Sequence, residues 1–242
     1  MVFNKLPTHL AIILDGNGRW AIKNGLVRSL GHKQGAKVVK EVISYVFKEN
    51  VYVLSLFCFS IENWKRDQKE IDYLMSLPIK YFSEYEENLL SNGIKVIFSG
   101  DLSKLPLNTR LACEKIALKT KLCDKHILNI CINYGGQDEI VKACKEIASK
   151  VKNNILSVDS ISKTIFEDHL YSKGLPQIDL LIRTSNEQRL SNFMLYQLSY
   201  AELYFTKVLW PDFNKRCIKK AFKEYNLRIR RFGGVWLWKK EL

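Results

Sequence analysis

Short apolar runs and amphipathic stretches alternate along most of this chain. Leu10-Ala-Ile-Ile-Leu14 is a continuous apolar run that stops at Asp15-Gly16, the pattern of a buried strand closed by a turn. Over residues 33–48, Val38, Val39, Val42, Ile43 and Val46 recur with the spacing of one helical face, which predicts a helix beginning near Lys33. Residues 51–59 read as a second strand. Asp67-x-x-Glu70 has the form of a capping box ahead of Ile71, Leu74, Met75, Phe82, Tyr85 and Leu89, and Pro78 within that helix is expected to kink it. Further strands are predicted at 94–98, 127–132, 179–182 and 203–205, and helices at 107–122, 138–151, 160–171 and 215–231.

Strands alternating with helices predict an α/β fold, a single domain over residues 1–242 with a mainly parallel central sheet flanked by helices. No repeat, low-complexity segment or Pro/Gly/Ser linker divides the sequence. A chain that is 47% hydrophobic and 12% aromatic buries a sizeable core, which excludes a disordered protein. Its longest mostly apolar stretch, residues 51–59, falls well short of the ~20 residues a membrane-spanning helix needs. The opening MVFNKLPTHL lacks the pattern of a secretory signal, and the six cysteines contain no CxxC pair, so a cytoplasmic protein with reduced thiols is expected.

Charge changes the picture. The 38 Lys and Arg exceed the 25 Asp and Glu by 13, and residues 213–242 hold ten cations against Glu224 and Glu241. A basic surface suits nucleic acid, an acidic membrane or an anionic substrate, and composition alone does not choose among them.

In an open parallel sheet, ligands bind beyond the carboxyl ends of the strands. The segments there are Asp15-Gly-Asn-Gly-Arg-Trp20, Ser60-Ile-Glu-Asn-Trp-Lys-Arg66, Asn133-Tyr-Gly-Gly136 and Arg183-Thr-Ser-Asn-Glu-Gln-Arg189, and they concentrate polar, charged and Gly residues. Gly16-x-Gly18-x-x-Ala21 superficially fits a dinucleotide fingerprint, but Asn24-Gly25 interrupts any helix after it and Asp15 stands where pyrophosphate oxygens would approach. No P-loop motif is present. The two glycines with Arg19 instead suit a phosphate cradle. Arg28 and His32 follow about ten residues on, with His32 just ahead of the predicted helix N-terminus, and Arg183 with Arg189 forms a second basic pair. Two anion grips imply two phosphorylated substrates, with Asp15 as a plausible Mg²⁺ ligand.

The stretch His9-Leu-Ala-Ile-Ile-Leu-Asp-Gly-Asn-Gly-Arg-Trp-Ala21 resembles the opening motif of the cis-prenyltransferases, specifically their bacterial undecaprenyl diphosphate synthase branch. The resemblance continues in order through Gly31-His-Lys33, Phe59-Ser-Ile-Glu-Asn-Trp64, Asn133-Tyr-Gly-Gly136, Ile182-Arg-Thr184, Ser191-Asn-Phe193, Tyr200-Ala-Glu-Leu-Tyr-Phe205, Leu209-Trp-Pro-Asp-Phe213 and Arg230-Arg-Phe-Gly-Gly234. It implies a Mg²⁺-dependent homodimer that adds isopentenyl diphosphate repeatedly to farnesyl diphosphate, ending near C55, with an apolar tunnel for the growing chain. By that resemblance Asp15 binds the metal, and Gly16, Asn17, Gly18, Arg19, Trp20, Arg28 and His32 form the allylic diphosphate site. Ser60, Ile61, Glu62, Trp64 and Arg66 form a mobile substrate loop, with Asn63 in the position assigned to proton removal. An amide is a poor base, so Asn63 reads as positioning. Arg183, Arg189, Leu190 and Ser191 match the isopentenyl diphosphate site. Glu202 matches a second metal-associated carboxylate that the partner subunit supplies.

The sequence departs from the family pattern at Asp67 for Pro, Gln137 for Arg, Ser185-Asn186 for Gly-Gly and Gln188 for His. His126 stands where relatives carry Leu near the tunnel floor, a position where a polar group either shortens product or turns to solvent. The Trp-bearing basic end, residues 228–240, is a candidate for peripheral membrane contact at the inner face. Shorter or longer products, or a catalytically silent isoprenoid-binding subunit, are the rival readings. No nucleic-acid-binding motif is present.

Overall fold

The computed structural model describes residues 5–229; the Arg230-Arg-Phe-Gly-Gly234 motif and all of the Trp-bearing basic end beyond residue 229 lie outside them. Along the first strand, β1 (His9–Ile13), Leu10 and Ile12 enter one apolar cluster while Ala11 and Ile13 enter another. Successive side chains of a strand point to opposite faces, so a strand covered on both sides must read as an unbroken apolar run. That is why the run ends at Asp15, where the chain leaves the sheet.

The remaining elements are α1 (Asn17–Lys23), α2 (Arg28–Lys48), β2 (Val53–Ser60), α3 (Gln68–Ser91), β3 (Ile94–Ser99), α4 (Leu107–Lys119), β4 (His126–Tyr134), α5 (Gly136–Lys152), α6 (Lys163–Glu167), β5 (Leu180–Arg183), β6 (Glu202–Phe205) and α7 (Lys215–Asn226). The six strands form one sheet in the order β3-β4-β2-β1-β5-β6, every neighbouring pair parallel. The chain builds outward from β1 through β2 and later returns to β1's other side with β5. The crevice at the carboxyl ends of β1 and β5 is therefore the topological switch point at which such sheets bind ligands. The larger core packs α2, α3, α4 and α7 residues on the sheet; the smaller one joins Tyr134, Phe193, Met194 and Leu198. No described helix is long and apolar enough to cross a membrane.

A buried polar chain crosses the sheet at mid-height. His9 Nδ1 donates to the Pro176 carbonyl at 2.8 Å, so its Nε2 accepts from Ser55 Oγ at 2.7 Å. Asn129 Nδ2 donates to the same Ser55 oxygen at 2.9 Å, and Ser99 Oγ donates to Asn129 Oδ1 at 2.9 Å. Burial pushes the His9 imidazole down to about 4.

Several sequence expectations are corrected. The long helix begins at Arg28, not Lys33, so His32 lies in its second turn and not at its N-terminus. A helix does follow Asp15-Gly16 at once, ending where Asn24 and Gly25 stop it. Asp67 caps α3 by accepting from Lys69 N at 2.9 Å, but Glu70 does not complete a capping box because its carboxylate faces Arg28, His32 and Arg66. The helix expected over 160–171 is only Lys163–Glu167, because buried Glu139 takes the Tyr171 amide at 2.7 Å and draws the chain out of helical register.

Candidate active site

Asp15 sits where β1 meets β5. Its amide donates to Thr184 Oγ1 at 2.9 Å and its carbonyl accepts from the same hydroxyl at 2.6 Å, which pins the turn to the end of β5. Its carboxylate is held between two guanidiniums, Arg19 Nη2 at 3.0 Å and Arg183 Nη2 at 3.0 Å. Arg183 is buried, and its Nη1 donates to Ser191 Oγ at 2.7 Å and to the Arg189 carbonyl. Glu187 binds both Arg19 and Arg189, so the two predicted anion grips are joined here by one half-buried carboxylate. Gly16 makes the turn possible: its φ is 109°, and a Cβ would lie 2.2 Å from Ser185 Oγ. Ser185 and Asn186, which stand for the family's glycines, themselves adopt left-handed φ values of 74° and 60°.

A second charged group surrounds Glu70. It accepts from Arg28 Nε at 2.8 Å and Arg66 Nη1 at 2.9 Å, and lies 3.1 Å from His32 Nε2. Burial disfavours its ionised form, yet the hydrogen bonds from Arg28 and His32 and the charge of Arg66 hold it down at about 2. Burial also lowers His32 from the usual histidine value, against the pull of Glu70.

The turn after β2 is a 3₁₀ segment, Ile61–Lys65, and it carries Glu62, Asn63 and Trp64. Asn63 Oδ1 accepts the Ser60 amide at 3.1 Å, so that side chain shapes the turn. Trp64 Nε1 donates to Asn133 Oδ1 at 2.8 Å. Asn192 ties three loops together. Its Nδ2 donates to Glu62 Oε1 at 2.9 Å, its Oδ1 accepts from the Gln137 amide at 2.8 Å and its carbonyl accepts from the Gly136 amide at 2.7 Å.

These groups open on one cavity of about 790 Å³, within the usual range for a ligand pocket. Its polar end includes Asp15, Asn17, Arg19, Arg28, His32, Ser60, Glu62, Asn63, Arg66, Arg183 and Ser191. Its deep end is apolar and aromatic, walled by Val39, Leu74, Met75, Pro78, Tyr81, Phe82, Phe98, Ile130 and Ile132. Other expected site residues stand back from it. Trp20 donates to Asp212 Oδ1, Leu190 packs on the smaller core, and Ile61, Trp64 and Arg189 do not line the cavity. Glu202 pairs with Arg228 at 3.1 Å at the start of β6, three residues below the level of Arg183 in the register, so this chain does not bring it to Asp15. His126 neither lines the cavity nor turns to solvent. It is buried, stacks on Phe47 and hydrogen-bonds the Val51 carbonyl.

Residues 13–233 match the prenyltransferase family described as "Putative undecaprenyl diphosphate synthase". This chain belongs to that family. It is 46% identical to the isoprenyl transferase of Bacillus subtilis over 96% of its own length and 89% of the relative's. It is 44% identical to the isoprenyl transferase of Oceanobacillus iheyensis over 96% and 92%. Among solved structures it resembles lavandulyl diphosphate synthase from Lavandula x intermedia in complex with dimethylallyl diphosphate, at a TM-score of 0.91 and 35% identity over 94% of this chain and 98% of that one. It also resembles "a probable undecaprenyl diphosphate synthase" from Campylobacter jejuni, at a TM-score of 0.76 and 35% identity over 95% and 99%. The protein is a prenyl-transferring enzyme of α/β fold.

Sequence reasoning missed Glu70, Asn192 and Thr184 as parts of this prenyltransferase site. Glu70 was visible only as a helix-start signal, and Asn192 only inside a motif. Nothing in the linear sequence indicates that α3 meets α2 through Glu70, or that Asn192 reaches both Glu62 and Gln137.

Proposed function

We propose that this enzyme adds isopentenyl diphosphate repeatedly to farnesyl diphosphate, forming cis double bonds and ending near C55, the length of a cell-wall carrier-lipid precursor. The observation that carries this reading is the two-ended cavity: guanidiniums and Asp15 at the mouth, and a continuous apolar wall behind them. A diphosphate at the mouth directs an attached prenyl chain inward along that wall, which suits both the farnesyl primer and a longer chain grown from it.

The donor set suits Mg²⁺. Among the described residues no cluster of three or more His, Cys, Asp or Glu forms a closed cage, and Asp15 is a partly exposed carboxylate held between two guanidiniums at the anion-binding end. Mg²⁺ commonly takes one or two carboxylates with substrate phosphates and water. Asp15 would hold it, and when bound it would stabilise charge on the departing diphosphate. Arg19, Arg28 and His32 bind and orient the allylic diphosphate. Arg183 and Ser191 at the cavity bind the second diphosphate and set its double bond against the allylic carbon, with exposed Arg189 turning from Glu187 to join them. As the allylic C–O bond breaks, guanidiniums already in place stabilise the developing negative charge. The new C–C bond forms and the attacking substrate gives up a proton to the departing diphosphate, with Asn63 holding the reacting turn in position.

The reading also takes the enzyme as a homodimer in which Glu202 serves the partner's site. In support, Glu202 begins edge strand β6, and Tyr200 and Leu203 beside it are exposed. Farnesyl diphosphate and labelled isopentenyl diphosphate, with Mg²⁺ and with chelator, test the whole reading. A Mg²⁺-dependent ladder of cis products ending near C55 is expected. A single condensation product would place the enzyme with short-chain synthases, and a product formed equally in chelator would remove the metal from the scheme.

A further inference from the structure

The turn between α1 and α2 presents an apolar tip on a basic shoulder. Residues 22–28 are exposed without a break, and Ile22, Leu26, Val27 and Leu30 are 65%, 38%, 66% and 40% exposed. None of the four lines the cavity, although Arg28 between them does. Isolated exposed apolar side chains are ordinary; four within nine residues beside a substrate cavity form an interaction surface.

The charge around this tip is of one sign along the chain. From Gly16 to Lys40 there are six cations, Arg19, Lys23, Arg28, Lys33, Lys37 and Lys40, and no Asp or Glu. Arg19, Arg28 and Lys40 are engaged with acids from other elements, namely Asp15 and Glu187, Glu70, and Glu84. Lys23, Lys33 and Lys37 are exposed and form no ion pair among the described residues. On α2, Leu30, Lys33 and Lys37 recur at i, i+3 and i+7, so they share one face. The tip is apolar and the level behind it is cationic.

We propose that this α1–α2 turn is a docking surface for an anionic phospholipid bilayer, with Ile22, Leu26, Val27 and Leu30 entering the headgroup–acyl boundary and Lys23, Lys33 and Lys37 at the level of the lipid phosphates. Interfacial binding combines buried apolar area with attraction to anionic lipid, and both parts are present here. A nucleic acid or an acidic peptide would use the lysines but has no need of four exposed aliphatic side chains. Docking here brings the cavity mouth, through Arg28 and His32, to the membrane into which a prenyl-lipid product must pass. That purpose rests on the proposed long-chain product. The surface itself needs no substrate, so vesicle binding and prenyl transfer fail separately.

The test is co-sedimentation of the full chain with phosphatidylglycerol and with phosphatidylcholine vesicles, without substrate. The wild type is expected to bind the anionic vesicles and to be released by salt. Each lysine near an anionic surface contributes about 1 kcal/mol, so Lys23→Glu/Lys37→Glu is expected to weaken binding by about tenfold or more. Ile22→Ser/Val27→Ser should weaken it comparably while leaving transfer between water-soluble short-chain substrates unchanged, since neither residue touches the cavity. Undiminished binding by both variants would overturn the proposal and point to residues 228–240 instead. Equal binding to neutral vesicles would overturn the role of the lysines. Conversion of either variant to a monomer would show that this face joins two copies of the chain.

Discussion

Arg183 Nη2 lies 3.0 Å from Asp15 Oδ2 across the junction of β1 and β5, and the guanidinium is almost wholly buried while the carboxylate opens to the cavity. The pair sets the polar pole of the site. Arg183 spends its fork on Asp15, Ser191 and the Arg189 carbonyl together, so a single ammonium cannot replace it. Arg183→Lys is expected to lower kcat/KM about 100-fold, roughly 2.7 kcal/mol of transition-state stabilisation, in steady-state assays varying isopentenyl diphosphate. Activity within a factor of two of wild type would contradict this.

Asn192 should behave as a positioning residue. Asn192→Ala removes its links to Glu62 and Gln137 and frees the 3₁₀ turn bearing Asn63. A fall of about tenfold or more in kcat is expected, with little change in affinity for the allylic diphosphate, whose grips lie elsewhere. Asn192→Asp should be no better, because it sets a carboxylate against Glu62. A binding titration beside the rate measurement separates the two effects.

His9 should make the fold acid-sensitive. Its pKa is about 4 in the native state against 6.5 in the unfolded chain, so the unfolded state binds more protons between those values and stability rises with pH across that window. Denaturant unfolding is expected to show up to about 3 kcal/mol less stability at pH 4 than at pH 7 from this group. Above pH 6.5 its contribution is flat. His9→Gln should remove most of that slope, whatever its effect at neutral pH.

Much of this was readable from sequence, and the failures share a cause. β1 was legible because both of its faces are apolar, and Pro78 did not hide α3 because the stripe from Ile71 to Leu89 persists around it. The start of α2 was hidden because Arg28-Ser-Leu-Gly31 carries no apolar stripe: Arg28 and Leu30 are exposed, and the buried residue is a glycine. The Asp-Gly-Asn-Gly-Arg and Arg-Thr-Ser segments announced anion chemistry by residue type. Their meeting through Thr184 and Asp15 depends on β5 returning to β1, a contact between residues 169 apart. Glu70 was legible as a helix-start residue and not as the common partner of Arg28, Arg66 and His32.

Product length should answer to the cavity wall and not to His126. Phe98 lines the deep end, so Phe98→Ala is expected to lengthen the longest product by at least one isoprene unit. His126→Leu should leave the product distribution unchanged, because that side chain lies outside the cavity against Phe47. Chromatography of dephosphorylated products checks both. A shortened or lengthened ladder in the His126 variant would mean the chain reaches farther than this wall.

The most direct measurement compares wild type with Asp15→Asn in incorporation of labelled isopentenyl diphosphate into farnesyl diphosphate, alongside unfolding curves for both proteins. Asparagine keeps the shape of the turn and its Thr184 contacts but lacks the charge that faces Arg19 and Arg183. The expected result is a folded variant whose incorporation falls at least 1,000-fold, on the order of 4 kcal/mol. A folded variant that still builds the full product ladder at a comparable rate would contradict the assignment of Asp15 as the centre of this site.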